Sequence, residues 1–413
     1  MPQIRFGDTR MAIRMSNMEF QQQLQQRLEE LNTRGQRRTK RTVDCLPGGL
    51  CRVNGRELVN FGGNDYLNLA HEVSRSEQVR EVFASQVGAT ASALVCGRSK
   101  WHNALEDALA KFENTEAALL FPTGFAANAG LITSLVQTGD AVFCDRDNHA
   151  SIIDACRSCA GRMLVYRGDR LESLRESLRR RRGEYGQVFI VTDGVFSMDG
   201  RIPDLPLICE IAERHDALVI VDEAHGTGVL GDHGRGACDL LNVEHRVLAR
   251  VGTMSKALGG LGGFVAADAT TIDWLRNTAR SQFFSTALPP AICAAMLQSV
   301  HMVQSEPGRR QDLAQLTSLA HQRLNELGLK TVESGVAPII PILLNDEESA
   351  VRISSQLMDA GWFVPAIRPP TVASGTARLR LSLTVGHSKK RITDVLACVG
   401  TLTGSANTGY RET

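Results

Sequence analysis

The feature that most constrains the fold is an alternation of short apolar runs with amphipathic helical segments. Five runs of four or five residues are typical of buried strands, at 117–121, 141–144, 188–192, 217–221 and 247–251. Apolar residues at helical spacing fill several of the intervals, as at 171–182 and 205–215. This alternation predicts an α/β fold with a mostly parallel central sheet and helices on both faces. The carboxyl ends of such strands are where ligands bind.

The remaining patterns predict four regions along the chain. The hairpin signal Asn54-Gly55 closes an N-terminal region, 1–60, that also holds a helix and a basic arm. Residues 61–295 form the predicted large α/β domain. After a helical stretch, strand-like and helical patterns of a different arrangement predict a smaller α+β domain over 296–404. Residues 405–413 are predicted to form a polar tail.

Composition excludes several classes of function. The 413 residues carry a net charge of +1, so no overall field favours nucleic acid or a membrane surface. No apolar run is long enough to span a bilayer, and the N-terminus lacks the apolar core of a signal peptide, so we expect a cytoplasmic protein. Ten cysteines in a chain of this length are not a disulfide framework. The one close pair, Cys156 and Cys159, lacks partners at metal-ligand spacing, so we expect helical thiols and no metal site.

Lys256 is the lysine with the most unusual surroundings. The chain has seven lysines, and this one stands among Gly, Ala, Leu and Met just after a strand-like run. Apolar surroundings lower the pKa of an amine, and a neutral amine can attack a carbonyl and hold a cofactor as a Schiff base. A lysine that reaches the surface from a turn is the alternative.

Asp222 gives Lys256 a chemical partner. The run that ends in Asp222 predicts a buried strand with a carboxylate at its carboxyl end, which is costly unless that carboxylate is paired. A protonated pyridine nitrogen is a partner that keeps it ionised. His225 follows three residues later, where it could contact a phenolic oxygen. An aspartate at a strand end and a Gly-flanked lysine after the next strand are typical of a pyridine-type cofactor site.

Other strand ends carry weaker signals. The backbone N–H groups of Gly124 and Phe125 open a predicted helix and could bind an anion. His149 could stack on an aromatic ring, although a lone histidine is more often a structural hydrogen-bonding residue. Ser197 could orient a ligand, or it could simply stabilise a turn.

Taken together, the chain resembles the α-oxoamine synthases, a branch of the fold-type I enzymes that use pyridoxal 5′-phosphate. The resemblance covers residues 20 to 403 or so. It rests on ordered motifs, namely Asn64-Asp-Tyr-Leu-Asn-Leu, Gly124-Phe-Ala-Ala-Asn, Asn148-His-Ala-Ser, Asp193-Gly-Val-Phe-Ser-Met-Asp-Gly, Asp222-Glu-Ala-His-Gly-Thr-Gly, Gly252-Thr-Met-Ser-Lys-Ala-Leu-Gly-Gly and Ala377-Arg-Leu-Arg-Leu.

The resemblance implies a role for each candidate residue. Lys256 would tether pyridoxal 5′-phosphate and later move the Cα proton, Asp222 would pair with the pyridine nitrogen, and His149 would cover the ring. The remaining cofactor contacts would be Gly124, Phe125, Ser197, His225 and Thr253. Arg380, with Asn64 close by, would hold the carboxylate of the amino-acid substrate, for which a guanidinium fork is suited. A homodimer with the site near its interface is also implied.

One run points to a particular branch of that family. Ala366-Ile-Arg-Pro-Pro-Thr-Val resembles the members of biotin biosynthesis that join L-alanine to a pimeloyl thioester on coenzyme A or acyl carrier protein. Thr371 and Arg38 (or its neighbour Arg37) match substrate-contacting positions there. The alternatives are a glycine-using relative, such as 2-amino-3-ketobutyrate ligase or 5-aminolevulinate synthase, and a non-catalytic partner subunit, which usually lacks the lysine.

The chain departs from the family pattern in one stretch. Ala91 and Ala93 stand where glycine and often arginine occur, and Arg98 follows Gly97 where a smaller or aromatic residue is common. A side chain added at a close-approach glycine narrows a pocket. We therefore expect this stretch to affect the preference for the acyl chain more than the cofactor chemistry.

Overall fold

The computed structural model describes residues 6–34, 36–38, 40–332, 335–344 and 346–404. The predicted polar tail, 405–413, lies outside these residues. No helix in these ranges is both long and apolar enough to cross a membrane. The predicted location in the cytoplasm stays a prediction.

A seven-stranded sheet forms the centre of the molecule, as the alternating apolar runs predict. Its spatial order is β4-β10-β9-β8-β7-β5-β6. All neighbours pair in parallel except β10, which is antiparallel to both β4 and β9. The strands are β4 (Ala117–Phe121), β5 (Ala141–Asp145), β6 (Arg162–Tyr166), β7 (Val188–Asp193), β8 (Leu218–Asp222), β9 (Ala249–Thr253) and β10 (Gly263–Ala267). The sequence patterns missed β6, whose burial shows no regular alternation along the strand, and β10, which is Gly- and Ala-rich.

Helices cover the two faces of this sheet. They are α2 (Ala70–Val73), α3 (Glu77–Ser85), α4 (Lys100–Phe112), α5 (Gly124–Leu135), α6 (Ala150–Ser158), α7 (Leu171–Arg181), α8 (Leu205–Arg214), α9 (Ala237–Leu240), α10 (Ala269–Thr278), α11 (Arg280–Phe283) and α12 (Pro290–Ser305). One apolar cluster packs α5, α6 and α10 on one face, and a second packs α7 and α8 on the other. The predicted fold class is thus confirmed.

The N-terminal region is a long helix followed by a small sheet. Helix α1 (Phe6–Thr33) precedes β1 (Val43–Leu46), β2 (Leu50–Val53) and β3 (Arg56–Asn60). Asn54 and Gly55 both have positive φ, 51° and 80°, and form the predicted hairpin turn between β2 and β3. Leu24, Leu28 and Leu31, the apolar points of the predicted helix, are 39–44% exposed in the single chain.

The C-terminal part adds a three-stranded sheet in the order β11-β14-β13. Its elements are α13 (Gly308–Glu326), β11 (Ile339–Leu343), α14 (Glu347–Asp359), β12 (Trp362–Phe363), β13 (Ala366–Ile367), β14 (Arg378–Ser382) and α15 (Lys389–Thr403). Strand β12 instead pairs with β3 of the N-terminal sheet. One apolar cluster runs from Phe61 to Val399 and packs this part against the helices of the large domain. The domain boundaries drawn from the sequence stay predictions.

Candidate active site

Lys256 lies in the turn after β9, close to the carboxyl ends of β7 and β8. Burial lowers the pKa of its amine to about 8, against the opposing effect of the Asp222 carboxylate and, whenever it is ionised, of Asp193. Arg380 lowers it further. A lysine with this pKa is neutral in a large fraction of molecules just above neutral pH, as a nucleophile or a base requires. The structure therefore disfavours the alternative of a lysine that reaches the surface.

Asp222 ends β8 and is 4% exposed. Its Oδ2 accepts a hydrogen bond from Asn128 Nδ2 at 2.6 Å, and its Oδ1 accepts one from the Ala224 N–H at 2.8 Å. Asn128 was not predicted as a site residue, although it closes the motif that begins at Gly124. Its own Oδ1 is buried without a partner among the described residues. The two groups that donate hydrogen bonds to Asp222 are neutral, so its carboxylate fits a cationic group such as a protonated pyridine nitrogen.

His149 precedes α6 and stands exposed over the same edge of the sheet. Its Nδ1 lies 2.8 Å from Ser151 Oγ, and Asn128 donates to that same Oγ at 2.9 Å. The backbone N–H of His149 donates to Asp193 Oδ2 at 2.7 Å. Partial burial lowers the pKa of the imidazole. One hydrogen-bond chain thus joins Asp222 to His149 and fixes a ring whose outer face is open.

A second chain of contacts leads from His225 to Arg380. The Tyr66 hydroxyl lies 2.7 Å from His225 Nδ1 and 3.3 Å from Asn64 Oδ1, and that same Oδ1 accepts from both terminal nitrogens of Arg380 at 3.3 Å. Burial, with Lys256 and Arg380 nearby, holds the pKa of His225 well below its usual range. His225 is therefore neutral at pH 7. Tyr66 was not predicted as a site residue, although it belongs to the motif that begins at Asn64.

Arg380, on β14, connects the C-terminal sheet to this edge. Its Nε donates to the Ser197 carbonyl at 2.6 Å, and its Nη1 donates to Ser382 Oγ at 2.6 Å. The side chain is 6% exposed, and no carboxylate of the described residues pairs with it. The contact to Ser197 uses the backbone, so the Ser197 hydroxyl remains available for a ligand. A buried guanidinium without an internal carboxylate is suited to bind one from a substrate.

The start of α5 provides an anion cradle. Thr123 caps the helix by accepting from the Ala126 N–H at 3.0 Å, which leaves the N–H groups of Gly124 and Phe125 for a ligand. A Cβ added at Gly124 would lie 3.3 Å from the Thr253 side chain, so the two residues form one wall. Thr253 Oγ1 lies 2.8 Å from Ser255 Oγ, which directly precedes Lys256. A phosphate bound here would stand next to the lysine.

The structure brings the two predicted acyl-substrate residues together. Arg38 Nη2 donates to Thr371 Oγ1 at 3.2 Å, across 333 residues of sequence. Both side chains are exposed, and no hydrogen bond among the described residues links them to Lys256 or Arg380. Their role with the acyl substrate stays a prediction.

Arg98, which departs from the family pattern, pairs with a buried acid. Its guanidinium is turned to the buried Glu106, with Nη1 donating to Oε1 at 3.1 Å, and its Nε donates to Asn103. Glu106 in turn accepts the Leu120 N–H at 3.1 Å. Glu106 thus ties α4 to β4, and Arg98 pairs with it. Its effect on an acyl pocket has no support in these contacts.

The arrangement fits pyridoxal 5′-phosphate. A low-pKa lysine, a carboxylate with only neutral partners, the unsatisfied Asn128 oxygen beside it and an anion cradle meet at one edge of the sheet. No group of three or more His, Cys, Asp or Glu side chains in the described ranges could hold a metal ion. Cys156 is buried in α6 and Cys159 is half-buried at its end, as predicted for helical thiols.

Comparisons with known proteins agree with this geometry. The family model for class I and II aminotransferases matches residues 56–399. The chain is 42% identical over 375 residues to the 8-amino-7-oxononanoate synthase of Geobacter sulfurreducens, covering 90% of this chain and 95% of that one. It is 41% identical to the enzyme of the same name from Trichlorobacter lovleyi, covering 92% and 97%.

Two solved structures share the fold. A serine palmitoyltransferase from Sphingomonas wittichii superposes with a TM-score of 0.86 at 31% identity, covering 94% of this chain and 98% of that one. An 8-amino-7-oxononanoate synthase from Francisella tularensis superposes with a TM-score of 0.73 at 29% identity, covering 83% and 97%. The chain therefore belongs to the class I and II aminotransferase family and, within it, to the α-oxoamine synthases.

Proposed function

We propose that the protein condenses L-alanine with a pimeloyl thioester, using pyridoxal 5′-phosphate, to give 8-amino-7-oxononanoate, carbon dioxide and the free thiol. The observation that carries the proposal is the placement of Arg380 and Asn64, a carboxylate site, at the same edge as Lys256 and Asp222. Relatives at about 40% identity over most of their length bear the name of this activity. The cofactor, when bound, supplies an electron sink for the carbanion at the amino-acid Cα.

The chain's own residues divide the remaining work. Arg380 and Asn64 hold the alanine carboxylate and so aim the Cα–H bond. The neutral Nζ of Lys256 takes the Cα proton, since its lowered pKa keeps an unprotonated fraction near pH 8. Asp222 keeps the pyridine nitrogen protonated, the neutral His225 faces the phenolic oxygen, and His149 covers the ring and excludes water. The anion cradle at Gly124 and Phe125 holds the phosphate.

The thioester carrier binds outside this centre. Arg38 and Thr371, joined by their hydrogen bond, would contact the acyl substrate. An exposed guanidinium suits the phosphate groups of coenzyme A or of a carrier-protein arm. Exchange of Arg38 for Gln should raise KM for the thioester and leave KM for alanine unchanged.

We infer further that the working form is a homodimer. Leu94, Val95 and Phe284 are 67–78% exposed in the single chain, and Ser92 pairs with Thr286, so these side chains share one surface. Next to Phe284, Ser281 Oγ donates to the Ala126 carbonyl at 2.6 Å, which places this apolar surface beside the anion cradle. A second copy covering it would close the cofactor site. Light scattering should find a dimer, and Phe284→Asp should shift it toward monomer with weaker cofactor binding.

The activity is tested by a turnover panel. Alanine, glycine and serine are each offered with pimeloyl, acetyl, succinyl and palmitoyl thioesters, and carbon dioxide and free thiol are measured. Alanine with the pimeloyl thioester should give the largest kcat/KM. A preference for glycine would assign the protein to a glycine-using branch. A preference for serine with the palmitoyl thioester would follow its structural neighbour instead.

A further inference from the structure

One buried acid of the site has no task in the proposed function. Asp193 ends β7, is 3% exposed and pairs in register with Asp222 of the parallel strand β8. Neighbouring strands run about 4.8 Å apart, and residues paired in this way point to the same side of the sheet. The site therefore contains two acids side by side where a single pyridine nitrogen needs one.

The hydrogen bonds of the two acids differ. Both oxygens of Asp222 accept hydrogen bonds, from Asn128 and from the Ala224 N–H. Asp193 Oδ2 accepts the His149 N–H at 2.7 Å, whereas its Oδ1 has no partner among the described residues. The backbone N–H of Asp193 also donates to Asn148 Oδ1 at 2.9 Å. Asp193 is thus tied to both residues that directly precede α6.

The charges around Asp193 disfavour its ionised form. The groups that face it are Asp222 on β8, Asp145 on β5, His149 before α6 and Lys256 after β9. Two are acids, one is a backbone donor, and Lys256 is itself neutral in part. Burial and the Asp222 carboxylate raise the pKa of Asp193 well above its usual range. Two carboxyl groups this close in a buried site do not both ionise near neutral pH.

We propose that Asp193 is a positioning residue that works as a neutral carboxylic acid. Its Oδ2 holds the backbone of His149 just before α6 and thereby positions the His149 ring. Because Asp193 keeps its proton, Asp222 supplies the negative charge beside the reacting centre. A second negative charge would stabilise the Lys256 ammonium and remove the neutral amine that the proposed reaction needs. The inference rests on the proposed function for its meaning, but its central test needs neither cofactor nor substrate.

The central test is the titration of Lys256 in the full-length, cofactor-free protein. Acylation of Lys256 by a small anhydride is followed by peptide mass spectrometry across pH 6 to 10. Asp193→Asn should leave the midpoint near that of wild type, because a neutral acid is replaced by a neutral amide. Asp222→Asn, the positive control, should lower the midpoint, since its charge stabilises the ammonium. A midpoint lowered equally by Asp193→Asn would overturn the proposal.

Turnover separates the positioning task from the charge. Asp193→Asn keeps an oxygen that can accept the His149 N–H, so kcat should stay within about threefold of wild type. Asp193→Ala loses that anchor and should lower kcat about tenfold or more, with a smaller change in KM for alanine. A wild-type kcat in Asp193→Ala would also contradict the proposal. If that variant does not fold, the titration of Asp193→Asn still decides. A failed substrate assignment would change the turnover panel and leave this titration unaltered.

Discussion

Two buried arginines of this molecule serve opposite purposes. Arg250, on β9, is 3% exposed and has carboxylate partners, Glu113 at 3.1 Å and Glu244 at 3.2 Å. Arg380, on β14, is 6% exposed, and its hydrogen-bond partners among the described residues are neutral oxygens, those of Ser197, Asn64 and Ser382. A guanidinium whose charge is balanced within the chain stabilises the fold. One that is buried without a carboxylate marks where a substrate must bring one.

Charges that are balanced within the chain and groups that can react with a ligand also occupy the two ends of one strand, β9. β9 begins next to the Arg250 ion cluster, and the turn after its other end carries Lys256. At the first end, charges neutralise each other between α4, β9 and the loop around Glu244. At the second end lie the Lys256 amine, whose pKa is lowered, and the Asp222 carboxylate, and both can bind a cofactor. The ion cluster around Arg250 and the reactive Lys256 therefore lie at opposite ends of β9.

The largest expected effect is at the reactive end. Lys256→Ala should lower turnover about 10³-fold or more, because it removes both the tether and the base. Its free energy of unfolding should not fall, since a partly buried amine is costly. The measurements are thiol release and thermal unfolding without cofactor. Turnover like that of wild type would refute the assignment of the site.

Arg250→Met should act on stability. Removing one partner of a buried ion cluster leaves Glu113 without its cation, which costs about 3–5 kcal/mol of unfolding free energy. Urea unfolding measures it, with Arg380→Met as the matched control. Arg380→Met should cost much less, because no internal carboxylate loses a partner. Equal losses in the two variants would remove the distinction between paired and unpaired arginines.

The pH dependence of cofactor binding should follow the ionisation of the Lys256 amine. Only the neutral form of Lys256 attacks the cofactor aldehyde, and its pKa is about 8. The rate of cofactor capture should therefore rise about tenfold per pH unit from pH 6 toward 8 and level off above it. Stopped-flow absorbance measures this rate. A profile that keeps rising to pH 10 would mean that burial does not lower the pKa of Lys256.

Arg380→Met should weaken the binding of the amino acid. The lost charged hydrogen bonds are worth about 1.5–3 kcal/mol, so kcat/KM for alanine should fall roughly 10- to 100-fold. KM for the thioester should change little. Arg378→Met is a control on the same strand, since Arg378 contacts the carbonyls of Thr376 and Met198 and not Asn64. A larger loss in the Arg378 variant would place the carboxylate site elsewhere.

The sequence predicts the reactive residues better than the contacts that hold them. Lys256, Asp222 and His149 stand out because each follows an apolar run, and the central sheet follows from those same runs. Asn128 and Tyr66 lie within motifs that carry the family resemblance, yet their tasks depend on neighbours 94 and 159 residues away in sequence. Strand β10 is missed because its Gly and Ala residues carry no strand periodicity. Its antiparallel pairing with β4 and β9 defines it instead.

The contacts of Arg98, which departs from the family pattern, were likewise not predictable from the sequence. Its neighbours in sequence suggested a narrowed acyl pocket, whereas its side chain pairs with Glu106, 8 residues on. Arg98 is a third exposed, so Arg98→Met should cost only about 1–2 kcal/mol of unfolding free energy. The ratio of turnover with pimeloyl to turnover with succinyl thioester should not change, because the contacts of Arg98 within the described ranges are with Asn103 and Glu106 and not with the site. A changed ratio with unchanged stability would mean that Arg98 contacts the acyl substrate. Arg98 would then serve substrate binding, as Arg380 does, and not the fold, as Arg250 does.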